Sequence, residues 1–171
     1  MRDAVHLLRQ RNFSLLFFGR CVSFLGNAMA PVALAFGVLD LTGSASALGL
    51  VLAARMIPNV LFLLLGGVIA DRLPRSVVLV GSNAMSGATQ AAVAMLLISG
   101  HAHVWHLVVL EAVNGASFAL FHPADSAVVP LTVPDGRLQE ANALLRLGTN
   151  ATLIIGATHA GVLEAALNPG W

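Results

Sequence analysis

The sequence contains no lysine and no tyrosine, and charged residues make up only 10% of its 171 residues. Ordinary soluble domains carry about 25% charged residues, so this chain has too few polar side chains to cover the surface of a soluble protein. Its nine basic residues are all arginines, spread along the chain without the clustered basic patch that binds a phosphate backbone. We therefore expect neither a soluble domain nor a nucleic-acid partner.

The signatures of catalysis are also missing. Cys21 is the single cysteine, so an internal disulfide is impossible. The sequence has no His-Glu-x-x-His pattern, no glycine-rich phosphate loop, and no nucleophile with a histidine base at helical spacing. His101, His103 and His106 are clustered, but a metal site there would need further ligands. We predict no enzyme activity, no cofactor and no bound metal.

Long apolar segments are what the chain does contain. Hydrophobic residues make up 57% of it, and the mean hydropathy is +0.84. A helix needs about 20 apolar residues to cross a bilayer, and five segments reach that length, at about 13–39, 47–70, 76–98, 104–129 and 138–167. The predicted fold class is all-α, a polytopic membrane protein with five transmembrane helices in a lipid bilayer.

Local signals refine these helices. Ser44 or Ser46 is expected to cap the second helix, and Pro31 is expected to kink the first. The third and fifth helices are rich in glycine, alanine, serine and threonine, which predicts close packing between backbones.

The arginines predict the orientation. Those outside the predicted helices precede the first helix or lie between the second and third and between the fourth and fifth, whereas the segments 40–46 and 99–103 hold none. By the positive-inside rule, the N-terminus lies in the cytoplasm and the protein is a multi-pass protein of the cell membrane. Trp105 fits an aromatic anchor at the outer surface.

Ionisable residues inside the predicted spans indicate function, because each costs about 2.5–3.5 kcal/mol at a helix centre on insertion scales. Helical spacing places Glu111, His122 and Asp125 on one face of the fourth helix, where a carboxylate and an imidazole could relay protons. The alternatives stay open: an ion pair with Arg72 or Arg75 at the membrane surface for Asp125, a structural ion pair for Arg55, and a packing role for His159. The candidates for a substrate or proton path are Arg55, Glu111, Asn114, His122, Asp125 and His159.

The most informative motif joins the second and third helices. It reads Gly67-Val68-Ile69-Ala70-Asp71-Arg72-Leu73-Pro74-Arg75. This stretch resembles the Gly-x-x-x-Asp-Arg-x-x-Arg signature of major facilitator superfamily (MFS) transporters. In that superfamily the loop acts as a gate latch on the cytoplasmic side, which implies a gating role here for Gly67, Asp71, Arg72 and Arg75.

Other stretches resemble the N-terminal half of MFS exporters of the enterobactin and macrolide efflux type. They include the segments 8–13, 41–49, 54–58, 122–124, 129–134 and 139–145. The resemblance implies efflux of a small molecule, driven by an ion gradient. Superfamily members have about twelve helices in two halves, so residues 1–171 are expected to form a partial N-terminal domain that needs the C-terminal half as its partner and does not transport alone. A five-helix membrane scaffold without transport activity is the alternative.

Three departures from the superfamily pattern stand out. Pro74 replaces the usual glycine of the loop, which makes the turn stiffer. The fourth helix carries Glu111-x-x-x-Gly115 where proton-coupled members have Arg-x-x-x-Gly. In the fifth helix, the segment 156–161 retains only part of the antiporter pattern Gly-Pro-x-x-Gly-Gly.

Overall fold

The computed structural model describes residues 7–72, 74–134 and 136–167, with side chains described in those ranges except at 64–72 and 167. This part of the chain forms five helices and no strand, which confirms the all-α fold class. The helices are α1 (Arg11–Thr42), α2 (Ala45–Arg72), α3 (Arg75–Ile98), α4 (Val104–Val128) and α5 (Leu138–Leu167), and a short 3-10 turn (Val129–Leu131) follows α4. Their ends differ from the predicted ones by at most three residues.

Three stretches of the described chain are long and apolar enough to cross a membrane, compared with the five predicted from the sequence: Arg11–Thr42, Ala45–Leu63 and Val104–Leu131. The helix α3 has 24 residues, and its polar side chains, above all the amides of Asn83 and Gln90, lower its apolarity. The apolar side chains of Ala45–Leu63 face outward, since only 6% of its most apolar part is buried, whereas in Val104–Leu131 that share is 39%. Such a surface is suited to lipid contact rather than to water.

The turn between α1 and α2 is set by two local features. Gly43 adopts a left-handed φ of 61° after the last turn of α1, and its N–H donates to the Leu39 carbonyl at 2.7 Å. Of the two serines expected to cap α2, Ser44 does so, because its Oγ accepts the Ala47 N–H at 3.3 Å. Pro31 lies inside α1, which continues through it as a helix.

The chain divides into two compact units. The terminal unit comprises Met1–Leu34 and Val128–Trp171, and the central unit comprises Ala35–Ala127. In the described residues of the terminal unit, a core forms from Leu7, Phe13, Val129, Ala141 and Leu145.

Within the terminal unit, α1 and α5 approach closely at two glycines. A Cβ added at Gly148 would lie 2.8 Å from the Phe17 ring, and one at Gly156 would lie 2.9 Å from the Leu25 carbonyl oxygen. Two of the small residues of α5 therefore pack closely, as predicted from the sequence, whereas Gly161 has nothing within 4 Å of an added Cβ in the described chain. In α3, by contrast, Gly81 and Gly87 have open space around them in the described chain.

The central unit contains α2, α3, α4 and the last part of α1. Its interior contains several polar side chains. On α3 the buried side chains recur every three or four residues, and most of them carry a hydroxyl: Val78, Ser82, Ser86, Thr89 and Val93. On α4 the buried set includes Glu111, Asn114, Ser117 and Asp125. The central unit thus holds the polar groups that a functional site requires.

Candidate functional site

A buried ion pair joins α2 to α4 in the central unit. Arg55 Nη1 lies 3.8 Å from Glu111 Oε2, and the two side chains are 12% and 1% exposed. Gln90 of α3 donates from Nε2 to Glu111 Oε1 at 3.4 Å. The carboxylate therefore interacts with one side chain of α2 and one side chain of α3. A charge this deep in an apolar helix bundle is tolerated only with such partners.

The ion pair depends on a close approach of two backbones. Gly115 lies one turn after Glu111 on the same face of α4, and a Cβ added there would lie 2.9 Å from the Arg55 carbonyl carbon and 3.2 Å from its Cα. Asn59, one turn after Arg55 on α2, donates from Nδ2 to the Gly115 carbonyl at 3.2 Å. The absence of a side chain at Gly115 therefore brings Arg55 within reach of Glu111.

A second polar group, centred on Asn114, joins α4 to α3. Asn114 is fully buried, and its Nδ2 donates to Ser86 Oγ and Thr89 Oγ1, each at 3.0 Å, and lies 3.4 Å from the Ser86 carbonyl. The Thr89 hydroxyl donates in turn to the Ser86 carbonyl at 2.9 Å. These acceptors engage the amide nitrogen, whereas Asn114 Oδ1 is buried and has no hydrogen-bond partner within the described chain. It can accept a hydrogen bond from water or from a ligand.

We call Arg55, Gln90, Glu111 and Asn114, with Ser86 and Thr89, the polar cluster. The sequence singled out Arg55, Glu111 and Asn114; the structure pairs Arg55 with Glu111, and Asn114 is buried three residues after Glu111 on the same helix. It did not single out Ser86 or Thr89. Their signal was the recurrence of small hydroxyl residues at helical spacing along α3, which also fits simple helix packing.

The remaining path candidates on α4 lie further along the helix. Asp125 is buried, whereas His122 is exposed and makes edge-to-face contact with the Phe118 ring, with centroids 4.7 Å apart. The face that the spacing predicted is therefore buried at Glu111 and Asp125 but open at His122. His159 belongs to the terminal unit, where it is exposed, with Nδ1 2.9 Å from the Ile155 carbonyl of its own helix.

The predicted gating loop is described in part. Arg75 donates from Nη1 to the Ala127 carbonyl at 3.3 Å, so it contacts the C-terminal end of α4. A cation there is favoured by the partial negative charge of the last carbonyls. Gly67, Asp71 and Arg72 lie in the last turns of α2, where the side chains fall outside the described residues.

The possible metal ligands give no cluster in the described chain. No group of three or more histidine, cysteine, aspartate or glutamate side chains is arranged there to hold a metal ion.

Comparisons with known proteins give a consistent result. A family model described as transmembrane secretion effector matches residues 4–171. The chain is 24% identical over 159 residues to macrolide efflux protein A of Streptococcus pyogenes, and 22% identical over 162 residues to the uncharacterized MFS-type transporter YvqJ of Bacillus subtilis. These alignments cover 91% and 95% of this chain but only 39% and 38% of the relatives, so the chain spans about two fifths of their length. No solved structure matches the chain.

Proposed function

Because this chain belongs to the transmembrane secretion effector family, within the major facilitator superfamily, we propose that it serves as the N-terminal part of a transporter that exports a small molecule across the cell membrane. The observation that carries the proposal is the buried Arg55–Glu111 pair, which lies in helices apolar enough to cross a bilayer. Ionisable groups at that depth are costly and mark substrate or ion paths.

We assign the path to the polar cluster. Glu111 holds the charge that an ion gradient would act on, since adding a proton to it would release Arg55. Asn114 Oδ1 offers a buried acceptor three residues away on the same helix, within reach of the same bound molecule. These roles make the protein a transporter rather than an enzyme, with the bilayer as its surroundings.

One relative suggests which substrate class to test first. Macrolide efflux protein A carries its substrate in its name, and a macrolide is the first probe that we propose for this protein. Transport requires a path between two halves in this superfamily. The partner of residues 1–171 is accordingly a C-terminal half.

We further propose that the segment from Gly67 to Arg75 is the cytoplasmic gate latch. Arg75 supports this assignment, because its guanidinium already ties the start of α3 to the end of α4. The positive-inside distribution of arginines supports a cytoplasmic N-terminus.

The test is efflux of a radiolabelled macrolide from energised cells that express the complete transporter. Glu111→Gln should abolish concentrative efflux while the amount of protein in the membrane stays unchanged, because the glutamine keeps the side-chain volume but cannot take up and release a proton. Glu140→Gln is the matched control, since Glu140 forms an exposed pair with Arg137 three residues earlier on the chain and should transport normally. Wild-type rates in Glu111→Gln would contradict the proposed path.

A further inference from the structure

The side chain of His106 caps the first turn of α4. His103 is the residue before the helix, and its carbonyl accepts the N–H groups of His106 and Leu107 at 2.9 and 3.3 Å. The His106 side chain turns back, and its Nδ1 accepts the His103 N–H at 3.2 Å. This is the reciprocal arrangement of a capping box, in which the third helical residue, usually glutamate or glutamine, accepts the N–H of the cap residue. Here an imidazole takes that position.

The hydrogen bonds fix the protonation of both rings. A ring nitrogen that accepts an N–H must carry a lone pair, so neutral His106 has its proton on Nε2. His103 Nδ1 lies 3.1 Å from the His101 carbonyl, which only accepts, so His103 carries its proton on Nδ1. The two rings are in edge-to-face contact with centroids 5.2 Å apart, and they hold opposite tautomers.

We propose that His106 is a proton-sensitive cap of helix α4. A second proton removes the Nδ1 lone pair and with it the hydrogen bond from His103. It also places a positive charge at a helix N-terminus, where the helix dipole is already positive. Both effects favour opening of the cap. The cap is therefore closed while the His106 ring is neutral and opens when the ring is protonated.

The surroundings of His106 offer little to offset that charge. The ring contacts the Trp105 ring, with centroids 3.8 Å apart and the planes tilted by 45°, and it lines an apolar cavity of about 770 Å³. The α3 residues of this cavity are not titratable: Ala92, Met95, Leu96, Ile98 and Ser99. The titratable neighbours on its own turn are His101 and His103.

The described carboxylates of the central unit do not offset a charge on His106 either. Glu111 is buried five residues further along α4, about 7.5 Å along the axis, and is engaged with Arg55. Asp40, near the end of α1, is exposed. Opening of the first turn would therefore bring acidic solution one turn closer to the polar cluster. The cap itself rests on hydrogen-bond geometry and does not depend on the proposed function.

The test is hydrogen exchange of the purified 171-residue chain in lipid nanodiscs at pH 8 and pH 5, with rates expressed as protection factors so that intrinsic pH effects cancel. Loss of one net hydrogen bond corresponds to about a three- to tenfold fall in protection, expected at the His103 amide at pH 5. His106→Gln keeps an acceptor that does not titrate, so its protection should be the same at both pH values. His101→Gln, the matched control outside the cap, should keep the wild-type response.

A second measurement does not depend on any variant. The ¹⁵N shifts of the imidazoles at pH 8 should show His106 protonated at Nε2 and His103 protonated at Nδ1. The reverse tautomer at His106, or an equal fall in protection in wild type and His106→Gln, or no fall in wild type, would each overturn the proposal.

Discussion

Gly115→Ala is the substitution that best tests the architecture of the polar cluster. The new Cβ would collide with the Arg55 carbonyl group, which is backbone of α2 and has no rotamer through which to escape. The helices must separate by on the order of 1 Å before ordinary van der Waals distances return. The Arg55–Glu111 separation is already 3.8 Å and the Asn59 bond to the Gly115 carbonyl 3.2 Å, so neither contact survives such a shift intact.

The magnitude follows from these losses. Overpacking a well-packed contact costs about 1–3 kcal/mol, and the Asn59 hydrogen bond adds about 1 kcal/mol. We therefore expect Gly115→Ala to destabilise the protein by about 2–4 kcal/mol. For a chain of this size, that corresponds to a fall in Tm of roughly 5–15 °C.

The assay is thermal unfolding of the purified chain in one detergent. Gly49→Ala is the matched control, because Gly49 is a glycine of α2 with nothing within 4 Å of an added Cβ, and alanine there is favoured in a helix by about 0.5–1 kcal/mol. Its Tm should stay the same or rise. Equal Tm values for Gly115→Ala and Gly49→Ala would refute the close approach of α2 and α4.

Two further predictions concern the gate and the orientation. Asp71→Asn in the complete transporter should leave insertion intact but slow transport about fivefold, because the closed gate loses a charge–dipole contact of about 1 kcal/mol. Asp40→Asn is the control. Normal flux from well-expressed Asp71→Asn protein would exclude the latch. In a background without Cys21, single cysteines at the exposed positions Ala45 and His101 should react with an impermeant thiol reagent added outside sealed cells. Cysteines at Asn12 and Ser76 should not react. Labelling of Asn12 from outside would contradict the predicted orientation.

The positions of the helices could be predicted because the length of an apolar segment and the turn or capping residues at its ends are local properties of the sequence. Gly43 and Ser44 mark the turn between α1 and α2 in the sequence, and the structure uses both. The number of strongly apolar spans was less predictable, since the polar residues of α3 reduce its apolarity without preventing helix formation.

The site was predictable where a residue is chemically conspicuous. A charge within an apolar segment identified Arg55 and Glu111 separately, but their pairing depends on which helices are neighbours, and this is not a local property of either segment. Ser86 and Thr89 were missed because hydroxyls in helices serve packing as often as they serve a site. The tautomers of His103 and His106 were likewise beyond the sequence, since they depend on how the turn places each ring nitrogen.

The hydrogen bonds of the Asn114 amide limit how far α3 and α4 can slide along each other. Its three acceptors all belong to a single turn of α3, two of them at 3.0 Å. A slide of one helix past the other by a single residue, about 1.5 Å, would stretch all of these bonds together, so there is no intermediate register in which the amide nitrogen keeps its partners. These hydrogen bonds therefore fix the register of α3 against α4. A rearrangement that keeps these hydrogen bonds would therefore move α3 and α4 together at this contact.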